Sequence, residues 1–90
     1  MPFDWDPDKA AENIRRHRVS FEEAATVLRA PLSRIFLDPG HAEGEECYLD
    51  IGHSETRRLL IVSYTERQGR VRIISARLAT RKEQRSYEEG

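Results

Sequence analysis

The sequence lacks the features that stabilise secreted or membrane proteins. Its 90 residues include one cysteine, Cys47, so no disulfide can form within the chain. No apolar run approaches the roughly 20 residues of a membrane helix, and the start, MPFDWD, is not a signal segment. Aromatic residues are scarce at 8%, but 38% hydrophobic residues suffice for one small core. These absences predict a single cytoplasmic domain, residues 1–90, that does not contact a membrane.

Positive and negative charges nearly balance over the whole chain, but an excess of positive charge lies in its last third. The formal net charge is −1, yet seven basic residues and one acid lie between Arg67 and Arg85, a local charge of +6. Residues 38–50 show the opposite bias, with five acids and no Lys or Arg. Any nucleic-acid binding must therefore come from the local basic segment. A solvated helix face also explains Lys82 and Arg85, so a phosphate site and a plain charged surface both remain open.

Two short apolar runs predict the centre of a sheet. Residues 59–64 and 71–76 are too short for helices and rich in β-branched side chains, and a hairpin-sized link, residues 66–69, joins them. We expect the sheet centre to bury four side chains: Leu60, Val62, Ile73 and Ile74. Strand alternation places Arg77 on the same face as Val71, Ile73 and Ser75, an unusual position for a surface arginine.

Capping patterns predict three helices. Asp6 followed by Pro7 begins the first, and Ser20 with Glu23 and Thr80 with Glu83 form capping boxes for the second and third. Four residues of the first helix are expected to face a ligand or solvent: Lys9, Asn13, Arg16 and His17. Further strands are predicted at 2–5, 32–37 and 47–51, with a turn at 38–40 and an acidic loop at 41–46. The result is an α+β fold of order β-α-α-β-β-β-β-α with a small, mainly antiparallel sheet.

Several kinds of site are disfavoured by the motifs that are missing. The three histidines and Cys47 show neither H-x-x-x-H nor C-x-x-C spacing, so no metal site is expected. No phosphate-binding loop, dinucleotide glycine pattern or G-x-S-x-G motif occurs, so no cofactor is expected either.

Three segments resemble one known family. They are WDPDKAAENIRRHRVSFEEA near the start, DPGHAEGEE in the middle and VSYTERQGRVRIISARLATRKEQRSYEE at the end. Together they are similar to the BrnT family of type II toxins. The resemblance implies a RelE-like fold, ribonuclease activity that halts translation, and a cognate BrnA-type antitoxin with a ribbon-helix-helix domain. DNA would then be contacted only through that antitoxin.

Two positions depart from the family pattern. Similar sequences usually have glycine where Arg18 stands and arginine where Cys47 stands. The first departure predicts a differently shaped end of the first helix. The second puts in doubt any role of the family's arginine on that strand.

RNA cleavage through the 2′-hydroxyl needs a base for that hydroxyl, cations around the phosphorane and an acid for the leaving oxygen. This route does not require a metal. Arg77, Arg81 and Lys9 can hold the phosphate, while His17 or Tyr87 can move protons. His17 is equally well explained as a capping or packing residue near a helix end. Further RNA contacts are expected from basic residues around this centre: Arg16, Arg67, Arg70, Arg72, Lys82 and Arg85.

Arg67 and Arg77 are not expected to share a site. They lie at opposite ends of the predicted hairpin, about 25 Å apart. The competing function is a non-catalytic module that binds RNA or a protein through the same basic segment.

Overall fold

A five-stranded sheet forms the centre of the computed structural model, which describes residues 3–38 and 46–90. The elements follow the predicted order: β1 Phe3–Asp4, α1 Pro7–His17, α2 Phe21–Leu28, β2 Arg34–Leu37, β3 Cys47–His53, β4 Leu59–Arg67, β5 Arg70–Leu78 and α3 Arg81–Glu89. The strand order is β1-β5-β4-β3-β2. Of the strands described, only β1 and β5 pair in parallel, so the sheet is mainly antiparallel as predicted. Residues 39–45, which include most of the predicted turn at 38–40 and of the predicted acidic loop at 41–46, lie outside the described residues.

The strands β4 and β5 form the predicted hairpin around a two-residue turn. Gln68 and Gly69 both have positive φ, 53° and 78°, and Arg67 pairs directly with Arg70. Two successive residues in this region give the turn whose twist matches that of antiparallel strands. Both strands extend beyond their apolar runs, so the hairpin carries arginines at its tip.

The helices α1 and α2 pack on one face of the sheet, which we call the helix face. Phe21, Ala24 and Val27 of α2 meet Leu60 and Val62 of β4 in a core whose side chains are fully buried. Ile73 is 1% exposed, so the predicted burial of Leu60, Val62 and Ile73 is confirmed. Ile74 is only half-buried, and its predicted place in the core is wrong.

A bulge in β5 explains why Ile74 and Arg77 were misplaced. Ser75 pairs with Ser63 and Ile73 pairs with Tyr64, which leaves Ile74 as an extra residue between them. One extra residue reverses the alternation of every side chain that follows. Ala76 therefore joins Ile73 in the core, and Arg77 lies on the opposite side of the sheet from Val71 and Ile73. We call that side the open face.

The three predicted caps are confirmed. The Asp6 carboxylate accepts a hydrogen bond from the Asp8 N–H at 2.8 Å, and the Ser20 hydroxyl accepts one from the Glu23 N–H at 3.0 Å. At Thr80 both bonds of the capping box are present. The box at Ser20 is incomplete because the Glu23 side chain bonds to Arg58, Ser54 and Thr56 instead. Among the residues described, no helix is long and apolar enough to cross a membrane.

Asn13 does not face a ligand or solvent as predicted. It is 5% exposed, and its amide nitrogen donates to the Ala76 and Val19 carbonyls at 2.8 and 2.9 Å. Its amide oxygen accepts from the Ala76 N–H at 3.1 Å. The Asn13 side chain thus forms hydrogen bonds with both the N–H and the carbonyl of Ala76. The short strand β1 ends before it reaches Ala76, so it does not pair with these groups. This pairing fixes α1 against the edge of β5.

The end of α1 does not differ from what glycine would give. Arg18 caps the helix in the left-handed conformation, with φ 58° and ψ 36°. That region is the one glycine adopts without strain, so the expected change of shape at this departure is wrong. The second departure, Cys47, is 2% exposed at the start of β3.

Candidate active site

The helix α3 covers one end of the open face and forms a groove with the strands beneath it. The floor is apolar, with Ile61 of β4 flanked by side chains of β2 and β3, and α3 supplies a polar wall. The cavity measures about 240 Å³ and is lined by Arg34, Phe36, Leu49, Ile51, Ile61, Glu83, Ser86 and Tyr87. We call this cavity the α3 groove.

Arg77 connects β5 to the polar wall of the groove. It lies directly opposite Ile61 in the sheet, and its guanidinium donates two hydrogen bonds to Glu83, at 2.8 and 2.9 Å. Glu83 also accepts from the Thr80 N–H at 2.9 Å. The Arg77 side chain keeps 41% of its surface exposed, so one side of it remains accessible to a ligand.

This arrangement decides what Glu83 can do chemically. The hydrogen bonds from Arg77, together with the bond from Thr80, lower the pKa of Glu83 to about 2. The same pairing raises the pKa of Arg77 above its usual value. At neutral pH Glu83 is therefore ionised and a weak base, unsuited to donating or abstracting a proton. Its role is to hold Arg77 and to cap α3.

Tyr87 lies two turns along α3, where it contacts two side chains from the sheet. The Arg34 guanidinium stands over the Tyr87 ring at 5.3 Å from its centroid, and the His53 ring meets its edge at 5.7 Å. The Tyr87 hydroxyl donates to the Leu32 carbonyl at 3.0 Å. A phenol, an imidazole and a guanidinium thus gather at the end of α3 distant from its N-terminus.

The remaining predicted residues of α3 are exposed. Arg81 is its first residue, next to Thr80, and Lys82 and Arg85 follow along the same helix. Because Arg77 bonds to Glu83 in the first turn of α3, Arg77 lies near the end of the helix that Arg81 begins.

The predicted residues of α1 lie elsewhere. Asn13 holds α1 at the edge of β5, with Lys9 one turn before it and His17 one turn after it. Lys9 and Arg16 are exposed and His17 is half-buried. In the described part of the chain, neither Lys9 nor His17 bonds to Arg77 or Tyr87, so α1 is a flank of the site at most.

A second cluster of arginines lies at the hairpin tip on the same open face. Arg72 and Arg70 stand 3.5 and 3.9 Å from the Asp4 carboxylate across the β1–β5 pair. A cavity of about 190 Å³ opens there, lined by Asp4, Thr65, Arg67, Gln68, Arg70 and Arg72. Arg77 lies seven positions after Arg70 along β5, which corresponds to about 23 Å at 3.3 Å per residue. The two clusters are thus distinct, although both face the same side.

Sequence reasoning missed Arg34 and Ser86, which line the α3 groove, and His53, which contacts Tyr87 from the neighbouring cavity. Arg34 begins the apolar strand β2 and His53 ends β3, and each reaches Tyr87 only through the β2–β3 register and the position of α3. The one signal in the sequence that could have identified Arg34 and His53 is their position at the ends of short apolar strands. In residues 3–38 and 46–90 no three His, Cys, Asp or Glu side chains gather as a metal site would require.

Comparison with known proteins defines the class. The family model for a ribonuclease toxin, BrnT, of type II toxin-antitoxin systems matches residues 5–83. The chain belongs to the BrnT family, a class of ribonuclease toxins that pair with an antitoxin.

A crystal structure agrees with this fold. The ribonuclease toxin BrnT of Brucella abortus is similar to this chain with a TM-score of 0.70 and 23% identity, covering 90% of this chain and 99% of that one. No curated protein matches the sequence.

Proposed function

We propose that this toxin is an endoribonuclease that cleaves messenger RNA without a metal and so inhibits translation in the cytoplasm. The observation that supports it most is the common orientation of the arginines. Five arginines from three strands project on the open face: Arg34, Arg67, Arg70, Arg72 and Arg77. A chain of net charge −1 thus offers one strongly basic surface, which is what a phosphate backbone requires.

The α3 groove is our candidate for the reaction centre. Arg77 and Arg81 would hold the scissile phosphate, because a guanidinium can bind two phosphate oxygens at once. Attack by the 2′-hydroxyl then builds negative charge on that phosphate, and both cations stabilise it. Arg67, Arg70, Arg72 and Arg34 would bind the RNA on either side of the cleaved bond.

Proton transfer needs a side chain that can give up or accept a proton near the reacting oxygens. Glu83 is excluded by its lowered pKa, which leaves Tyr87 of the groove and His53, whose ring contacts Tyr87. The Tyr87 hydroxyl is engaged with the Leu32 carbonyl and would have to leave that bond to reach RNA. His17 and Lys9 stay candidates only if RNA bridges from the groove to the edge of β5.

The antitoxin partner would be of the BrnA type, with a ribbon-helix-helix domain that contacts DNA. An acidic or amphipathic antitoxin segment lying on the open face would cover the arginines and mask the RNA site. Hydrogen exchange of the complex tests this: protection of β4, β5 and α3 is expected. Protection confined to residues 38–46 would contradict occlusion.

Incubation of the purified chain with single-stranded RNA, with and without EDTA, tests the activity. Equal cleavage in both, with products ending in a 2′,3′-cyclic phosphate, is the expected result. Cleavage lost in EDTA and restored by a divalent ion would overturn the metal-free route. RNA retained on the protein but uncut at every concentration would favour a binding module instead.

A further inference from the structure

The described surface contains one concentrated apolar segment, and it surrounds β2. Six large hydrophobic side chains are exposed in the described part of the chain, and four of them lie within residues 32–37. Their exposed fractions are 80% for Leu32, 59% for Ile35, 54% for Phe36 and 62% for Leu37. Contiguous apolar exposure of this kind marks an interaction surface in a soluble protein.

β2 is also an edge strand of the sheet. It is last in the order β1-β5-β4-β3-β2 and, among the residues that the structure describes, pairs only with β3. Edge strands are usually protected by lysine, proline or a bulge, and none of these occurs between Arg34 and Leu37.

The register shows which main-chain groups of β2 point outward. The Asp38 N–H donates to the Cys47 carbonyl at 2.8 Å, so residues 34, 36 and 38 direct their main chain toward β3. The main-chain groups of Ile35 and Leu37 therefore point away from the sheet. Within residues 3–38 and 46–90 no main-chain group pairs with them, so they form an edge that another strand can extend.

We propose that β2 pairs in antiparallel fashion with β2 of a second copy of this chain, on a two-fold axis through Phe36. In that register Ile35 lies opposite Leu37 of the other copy, so all four outward residues exchange main-chain hydrogen bonds. Arg34 lies opposite Asp38 of the other copy, twice by symmetry. Phe36 meets its own counterpart in a non-hydrogen-bonded pair, where side chains come closest.

Charge complementarity selects this register among the symmetric alternatives. Moving the axis to Ile35 places Asp38 opposite Leu32, and moving it to Leu37 places Asp38 opposite Phe36. Either shift separates Arg34 from Asp38. Arg34 and Asp38 each lie two residues from Phe36. A two-fold axis through Phe36 therefore places each of them opposite the other in the second copy, as an isologous interface requires.

The dimer would join the two sheets into one of ten strands. Residues opposite each other in an antiparallel pair project to the same side, so both open faces and both α3 grooves would face one way. Two strands of four residues bury less area than a standard interface, so a weak, concentration-dependent dimer is expected. This inference does not depend on the ribonuclease activity.

Sedimentation velocity of the purified chain tests the interface. Between roughly 1 and 300 µM the dimer fraction of the unmodified protein should rise with concentration, as for other small interfaces. Leu37→Pro removes an outward N–H without touching the β2–β3 ladder, and Phe36→Glu places two carboxylates at the axis. Both variants should stay monomeric.

Ile14→Ser is the matched control, because Ile14 is 50% exposed but lies on α1. It should dimerise like the unmodified chain. Circular dichroism establishes whether each variant folds. If Leu37→Pro does not fold, the result for Phe36→Glu alone decides the test. An unmodified chain that stays monomeric at every concentration would overturn the proposal. Dimers that persist in the folded variants, or that Ile14→Ser abolishes, would overturn it equally.

Discussion

At the scale of single residues, one buried carboxylate is held at a cost to stability. Asp50 is 1% exposed on the helix face of β3, and one of its oxygens has no hydrogen-bond partner. The other accepts a bond of 3.2 Å from the Ser33 hydroxyl. Burial raises the pKa of Asp50 from 3.8 to about 6, and the Ser33 bond offsets only part of that rise.

The raised pKa sets the direction of a pH effect. Between about pH 4 and pH 6 the folded chain binds more protons at Asp50 than the unfolded chain does, so this group's contribution to stability falls as pH rises. Asp50→Asn should therefore raise the free energy of unfolding at pH 7.5 by about 1 to 3 kcal/mol and change it little at pH 4. Urea denaturation at both pH values measures this.

Glu22→Gln on the exposed face of α2 serves as the control and should leave both values unchanged. A stability loss for Asp50→Asn at pH 7.5 would show that the charge is satisfied. Glu23 and Glu83 have the opposite pH dependence, because their pKa values are lowered to about 2. Their contributions to folding stability are complete above about pH 4.5 and are lost as the pH falls below it.

At the scale of elements, the turn between α1 and α2 contains a strained residue. Arg18 ends α1 with φ 58°, while its N–H still bonds the Ile14 carbonyl and its own carbonyl accepts from Arg58. A non-glycine residue in this region costs about 1 kcal/mol. The exposed Arg18 side chain shows no bond that would offset this cost among the described residues.

Arg18→Gly should thus raise the free energy of unfolding by about 0.5 to 1 kcal/mol, once the extra freedom of glycine in the unfolded chain is included. Arg16→Gly inside the same helix should lower it by about 1 kcal/mol. Chemical denaturation of both variants gives the comparison. If both substitutions destabilise alike, the left-handed strain assigned to Arg18 is not present.

Local signals predicted the elements well, because caps and apolar runs act over a few residues. Asp6, Ser20 and Thr80 each begin a helix, and the hairpin turn falls within residues 66–69. The bulge at Ile74 was not predictable, since nothing in the run of Val71 to Ala76 marks the residue that stays unpaired. Missing it reversed the face assigned to Arg77. Asn13 was misjudged because its partner Ala76 is 63 residues away.

At the scale of the whole molecule, the two faces of the sheet differ in composition. The helix face contains the core and the Glu23–Arg58 bridge, whereas the open face carries the arginines that the sheet does not need for packing. The surroundings of Tyr87 depend on its contacts with Arg34 and His53, which join residues more than thirty positions apart. Such contacts depend on the docking of α3, which no local pattern encodes.

The central claim is that the reaction centre lies at the α3 end of the open face and not at the hairpin tip. The most direct measurement compares RNA cleavage by Arg77→Ala, Arg81→Ala and Arg67→Ala, each verified to fold by circular dichroism. Glu83→Gln controls for the loss of the Arg77–Glu83 bond, and Arg15→Ala, an exposed position on α1, controls for loss of charge. We expect Arg77→Ala to lose at least about 100-fold in cleavage rate. Arg67→Ala should lose less than about 10-fold, as for a residue that only binds backbone. An inactive Arg67→Ala beside a fully active Arg77→Ala would place the site at the hairpin tip and contradict the account.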